Sequence, residues 1–278
     1  MAFGKTIKIF LIDGDPNGRM SCEISNWTGK AYKVPRIKVK DCFDRIDLNT
    51  TGVYLLFGKN EENEDLVYIG EAENVLVRIN QHLSTKDFWK EAIVFISKDD
   101  NLNKAHIKYL ENRLHNIGTL TKRYLIENSC IPTLSSISES DRAEMEEFLE
   151  NIKIIVNTLG HKVFEDKRET SKSVLPKELL FLKATRGCNS TGEQTSEGFL
   201  VLKGSKIADS VTTSMSSSIK KFRENLIFKN VITDFEFNED FIFSSPSFAA
   251  TLVMGRSANG LTEWKTIDGR ILKSLENS

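Results

Sequence analysis

The sequence predicts an α+β protein: a small antiparallel sheet flanked by helices, with a β-rich segment before it and a separate α+β domain after it. Three observations carry that expectation. Short β-branched and aromatic runs are bounded by Gly, Asn and Asp. The apolar period then switches between two and about 3.6 through the middle of the chain. A charged stretch without periodicity, HKVFEDKRETSKS, precedes a new series of strands and helices. The expected parts are a leader over residues 1–50, a central domain over 51–160 closed by a long helix, a linker over 161–175 and a C-terminal α+β domain over 176–278.

In the leader, TIKIFLI, RMSCEISN and AYKVPRIKV read as strands, the first two joined by a turn at DGDPNG. TGVYLLFG and LVYIG follow, and the acidic KNEENED between them suits the exposed tip of an antiparallel hairpin. From Glu73 to Leu83 the apolar residues Val75, Leu76, Ile79 and Leu83 share one helical face. WKEAIVFIS is the next strand. After capping residues in DDNLN, Ile107, Leu110, Leu114 and Ile117 recur at helical spacing. SESDRAEMEEFLENIKIIVNTLG is a long amphipathic helix, with acidic residues at its start, a stripe from Met145 to Leu159 and Gly160 at its end.

In the C-terminal domain, ELLFLKATRGCNSTGEQTSEGFLVLKGSKIA reads as strands around a Gly, Ser and Asn-rich turn, and SSSIKKFRENLI as a helix. Ser244 and Ser245 before Pro246 mark another helix start, and Trp264 is read as a core residue.

Composition narrows the function classes. Lys plus Arg (38) against Asp plus Glu (39) gives a net charge of −1, so no global field draws the chain to a polyanion, and any such site is local. Four cysteines without a C-x-x-C pair argue against a zinc ribbon or a disulfide framework and fit a reducing compartment. The N-terminal run IKIFLI is too short and too interrupted for a signal peptide or a membrane span, so a cytoplasmic location is expected. GKT at residues 4–6 lacks the upstream glycine of a phosphate loop, which leaves no sign of a nucleotide cofactor.

The residues with chemistry are few. Tyr54 and Tyr68 stand on the paired strands, where a tyrosine is ordinarily half-buried with a wet hydroxyl. Arg78 and His82 are four residues apart on the following helix, hence on one edge of it. There a planar donor fork could hold a phosphate and an imidazole could handle a proton. Glu111 lies beside Leu110 at the margin of the second helix's stripe, a suitable single carboxylate anchor for Mg²⁺, which keeps most of its waters.

Taken in order, GVY at Gly52 to Tyr54, YIG at Tyr68 to Gly70, Arg78, His82 and Glu111 resemble the GIY-YIG nuclease family over about residues 51–128. Val53 replaces the family's usual Ile. The resemblance implies a metal-dependent endonuclease acting on nucleic acid, with DNA favoured, and a single divalent metal, Mg²⁺ or Mn²⁺, on Glu111. Tyr54 and Tyr68 would then orient or deprotonate the attacking water, with His82 assisting or replacing them, and Arg78 would stabilise the scissile phosphate. Gly70 would allow close approach of the nucleic-acid backbone, and Asn128 would take the place of the family's late Asn. Residues 51–130 carry 10 basic and 12 acidic residues, so the grip on phosphates must come from elsewhere in the chain. The alternative is a nucleic-acid-binding or regulatory module that keeps the fold and does not cleave. The segments FLVLKGSKIA and FIFSSPSFAATLVMGRSANGLTEWK resemble an uncharacterised, DUF4357-like domain that often follows GIY-YIG domains.

Overall fold

A computed structural model describes residues 4–167 and 178–275. The chain divides into two compact units, Met1–Glu165 and Asp166–Ser278, both mixed α+β. Among the described residues no helix is long and apolar enough to cross a membrane.

The first unit runs β1 (Ile7–Leu11), β2 (Met20–Ile24), β3 (Gly29–Pro35), β4 (Gly52–Lys59), β5 (Asp65–Ala72), α1 (Val75–Thr85), β6 (Trp89–Ser97), α2 (Lys104–Thr121), β7 (Leu125–Ile126) and α3 (Glu139–Thr158). Its seven strands form one sheet in the order β1-β2-β3-β6-β4-β5-β7. The leader is therefore not an appendage: β3 pairs antiparallel with β6 over Gly29 to Pro35 and extends the sheet beyond the central hairpin.

The hairpin follows from alternation in two buried strands. Val53, Leu55 and Phe57 with Val67 and Ile69 point to the face covered by α2 and α3, and Tyr54 and Leu56 with Tyr68 to the face covered by α1. Each helix begins where a short polar side chain can satisfy free N–H groups. Asn74 accepts from Val77 N at 3.0 Å, Asn103 from Ala105 N at 2.8 Å, and Ser138 from Asp141 N at 3.1 Å.

The expected linker is different at its start. His161 stacks on Phe57 with centroids 3.6 Å apart, and Val163 and Phe164 are buried against the α2 and α3 side. Two apolar residues hidden in a charged stretch are enough to hold it down. The remainder of that linker, from residue 168, lies outside the described residues.

The second unit contains β8 (Leu180–Lys183), β9 (Asn189–Thr195), β10 (Gly198–Val201), α4 (Ser217–Phe228), β11 (Ile232–Thr233), β12 (Glu236–Phe237), β13 (Phe241–Phe243), α5 (Pro246–Met254), α6 (Gly260–Glu263) and α7 (Leu272–Leu275). A four-stranded sheet, β13-β10-β9-β8, leaves β8 at an edge. Ser245 caps α5 by accepting from Phe248 N at 3.2 Å, with Pro246 in the first turn. Trp264 is fully buried, its indole donating to Pro246 O at 3.1 Å, so it packs and offers no face to a ligand.

Candidate active site

Strand β4 delivers Tyr54, strand β5 delivers Tyr68, and α1 lies over both with His82 pointing down. The hydroxyl of Tyr54 and Nε2 of His82 are 2.8 Å apart. The Tyr68 ring meets the imidazole edge-on at 5.3 Å and lies 6.2 Å from the Tyr54 ring. Tyr54 is 0% exposed and so closed to solvent, whereas Tyr68 is half-buried and open to it. Arg78, one helical turn before His82, is exposed, and its guanidinium is within electrostatic reach of both phenols.

The protonation states follow from this arrangement. Burial raises the Tyr54 phenol well above its ordinary range, with the neighbouring Tyr68 adding to it and Arg78 opposing. Tyr68 is also raised, again chiefly by burial. Burial, then the Arg78 and Lys86 cations, lowers His82 to about 4, so the imidazole is neutral at pH 7 and can accept a proton.

Gly70 does not end its strand, as a glycine before a helix could. It sits within β5, directly opposite Tyr54, and a Cβ there would lie 2.5 Å from the Tyr54 hydroxyl. The bare glycine is filled by the phenol and leaves no gap there for a nucleic-acid backbone. Asn128 is likewise engaged by the protein: its Nδ2 donates to Ile69 O at 2.7 Å and its Oδ1 accepts from Ile69 N at 3.1 Å. This side chain continues the ladder that the two-residue β7 begins along β5, and so fixes the strand on either side of Tyr68.

Glu111 comes from α2, on the opposite face of the sheet. Beyond Ile69 no strand among the described residues pairs with the outer edge of β5, and past that edge Glu111 is within electrostatic reach of Tyr68 and Arg78. Burial, then the nearby Glu71 carboxylate, raises Glu111 to about 7, while Lys104, Lys108 and Arg78 oppose. Glu71 itself is held by Lys104 Nζ at 2.9 Å.

Among the described residues no three His, Cys, Asp or Glu side chains gather as a metal cage. The donor set still fits a hard dication bound by Glu111 and water, since such an ion relieves the repulsion and desolvation that disfavour this carboxylate.

Sequence reasoning missed Lys86, whose ammonium lies over the Tyr68 ring at 4.3 Å. The one signal was the interval of four from Arg78 through His82 to Lys86, although α1 ends at Thr85 and Lys86 is its extended C-cap. Glu71 and Lys104 had no such signal, because their meeting depends on how α2 crosses β5.

The second unit matches a known family. Its sheet, its Ser-Pro helix start and its buried Trp264 fall inside a single matched span. Residues 180–276 match a family model described as Domain of unknown function (DUF4357). The DUF4357 match lies wholly in the second unit, and no GIY-YIG family model matches the first. No curated protein and no solved structure matches the chain.

Proposed function

We propose that the chain is a metal-dependent endonuclease that hydrolyses phosphodiester bonds, with DNA the favoured substrate, and that its active centre lies on the first unit. The observation that carries this reading is the convergence of Tyr54, Tyr68 and His82 beside Arg78, with Glu111 reaching them past the open edge of β5. The order of these residues in the chain resembles that of the GIY-YIG family.

Phosphodiester hydrolysis requires a deprotonated water, charge stabilisation on the non-bridging oxygens and an outlet for the proton. Tyr68 is the phenol that solvent reaches, so it meets the attacking water. Its hydroxyl accepts a proton from the water as it passes its own to Tyr54, and Tyr54 gives its own proton to neutral His82. This relay lets a buried imidazole act as the base without touching substrate. Arg78 places its guanidinium on the phosphate, and Lys86 adds a second positive charge beside Tyr68. A divalent ion on Glu111, when bound, supplies further stabilisation of charge on the phosphate oxygens.

The test is incubation of the full chain with supercoiled, linear, branched and single-stranded DNA in the presence of Mg²⁺ or Mn²⁺. Nicking that disappears in Glu111→Ala and Tyr68→Phe supports the proposal. Cleavage that survives both substitutions refutes it, and salt-dependent binding without turnover on any substrate favours the non-cleaving module.

A further inference from the structure

The edge of the DUF4357 sheet carries a cavity of about 440 Å³. Strand β8 forms one side, and the segment after α6 lies against it: Phe181 N donates to Lys265 O at 2.6 Å, and Lys265 N donates to Phe181 O at 3.0 Å. Alternation sorts the side chains along both segments. Leu180, Leu182 and Trp264 are buried, whereas Phe181, Lys183, Lys265 and Ile267 turn the other way and line the cavity beside Glu263.

The charges in and around the cavity are unequally satisfied. Glu263 accepts from Arg256 at 2.8 Å, and Asp268, just past Ile267, accepts from Arg270 at 2.8 Å. Among the described residues the ammonium groups of Lys183 and Lys265 have no hydrogen bond or ion pair. What remains is the half-buried ring of Phe181 and the exposed side chain of Ile267, one aromatic and one aliphatic, with two uncompensated cations beside them.

A site of this kind is complementary to a flat ring joined to an anion. Its volume falls in the range of about 300–1,000 Å³ of small-ligand sites. Lysine binds phosphate as a point charge, and an aromatic face accepts any base that is not already stacked in a duplex. An acidic peptide would satisfy the lysines and leave Phe181 and Ile267 unused.

We propose that this cavity binds one nucleotide unit of a single-stranded nucleic acid, the base against Phe181 and Ile267 and the flanking phosphates on Lys183 and Lys265. The inference rests on the nuclease reading only for the class of substrate, because the cavity lies wholly within the other unit. It supplies the phosphate contacts that the near-neutral stretch 51–130 lacks.

The experiment follows the binding of a short labelled oligothymidylate to the full chain by fluorescence anisotropy, in EDTA so that cleavage is suppressed, over a series of salt concentrations. The double variant Lys183→Ala, Lys265→Ala is expected to bind roughly tenfold more weakly, with a salt slope lower by about 1.4, at ~0.7 for each phosphate lost. Phe181→Leu is expected to weaken binding by roughly tenfold with the slope unchanged. Unchanged affinity and slope in the lysine variant overturn the site. So does equal binding of a duplex, or competition by deoxythymidine monophosphate at the concentration of the oligomer. A chain that nicks DNA while ignoring these substitutions loses this site and keeps the nuclease reading; one that binds through these residues and cleaves nothing does the reverse.

Discussion

Gly70 stands directly across the strand pair from Tyr54, and the phenol occupies the space where a Gly70 side chain would be: a Cβ there would sit 2.5 Å from Cζ of the ring. Gly70→Ala must push the ring from beneath His82 or part the two strands. We expect a loss of about 1–3 kcal/mol in urea unfolding, the usual cost of overpacking, together with loss of nicking. A Gly70→Ala chain with wild-type stability and activity would contradict the role assigned to this pair.

Tyr54 and Tyr68 should separate by what they lose. Tyr54→Phe leaves buried His82 Nε2 without its partner at 2.8 Å, which costs about 1–3 kcal/mol. Tyr68→Phe removes the hydroxyl of a half-buried, partly solvated ring and should cost less, about 1 kcal/mol or under. Both should abolish nicking. Denaturation midpoints and nicking rates, measured on the same preparations, check the split.

The pH dependence of stability follows from His82, lowered to about 4 from its ordinary 6.5. The folded state disfavours the proton, so this contribution is fully present above pH 6.5 and is lost as pH falls through about 4. The loss amounts to about 3 kcal/mol at the acid end. Melting temperature between pH 7 and pH 4 should therefore fall more steeply in the wild type than in His82→Gln. Parallel curves would refute the buried neutral imidazole.

Asn128 is a positioning residue. Asn128→Ala removes both hydrogen bonds to Ile69 and should cost about 1–2 kcal/mol, lowering kcat through Tyr68 while leaving KM unchanged. Asn128→Asp should be worse, because it sets a carboxylate oxygen against the Ile69 carbonyl. A rise in KM at constant kcat would instead mean that Asn128 holds substrate directly.

Glu111 is disfavoured as an anion by burial and by Glu71. Glu111→Gln should thus raise metal-free stability by about 1 kcal/mol while reducing nicking by two orders of magnitude or more, roughly the effect of losing metal-assisted charge stabilisation. Mg²⁺ should raise the melting temperature of the wild type and leave that of the variant unchanged, a readout independent of cleavage.

What could be read from the sequence was local. Val75, Leu76 and Ile79 fixed the inward face of α1, the caps at Asn103 and Ser138 marked where α2 and α3 begin, and Pro246 marked α5. Tyr54 and Tyr68 fell on one face because two paired strands share a period of two. Contacts between distant segments were not legible. Nothing in Gly29 to Pro35 names Glu91 to Ser97 as its partner, and nothing near Gly70 announces a ring from the neighbouring strand. The amide of Asn128 looked free for substrate because its use by Ile69, 59 residues earlier, depends on β7 running parallel to β5. Nothing in the sequence singles out Lys183 or Lys265, because only the edge of β8 brings them together.

The pairing of β3 with β6 bears on how this protein can be dissected. A fragment cut to begin at Thr51 would keep Tyr54, Tyr68, His82 and Glu111, yet its β6 would present an open flank of seven residues, Glu91 to Ser97, rich in Ile, Val and Phe. Such a flank invites a second copy to zip onto it. The first fifty residues thus act as a built-in chaperone for that centre, with Arg36 also donating to the Leu83 and Lys86 carbonyls at the end of α1, and the smallest soluble version of it must carry them.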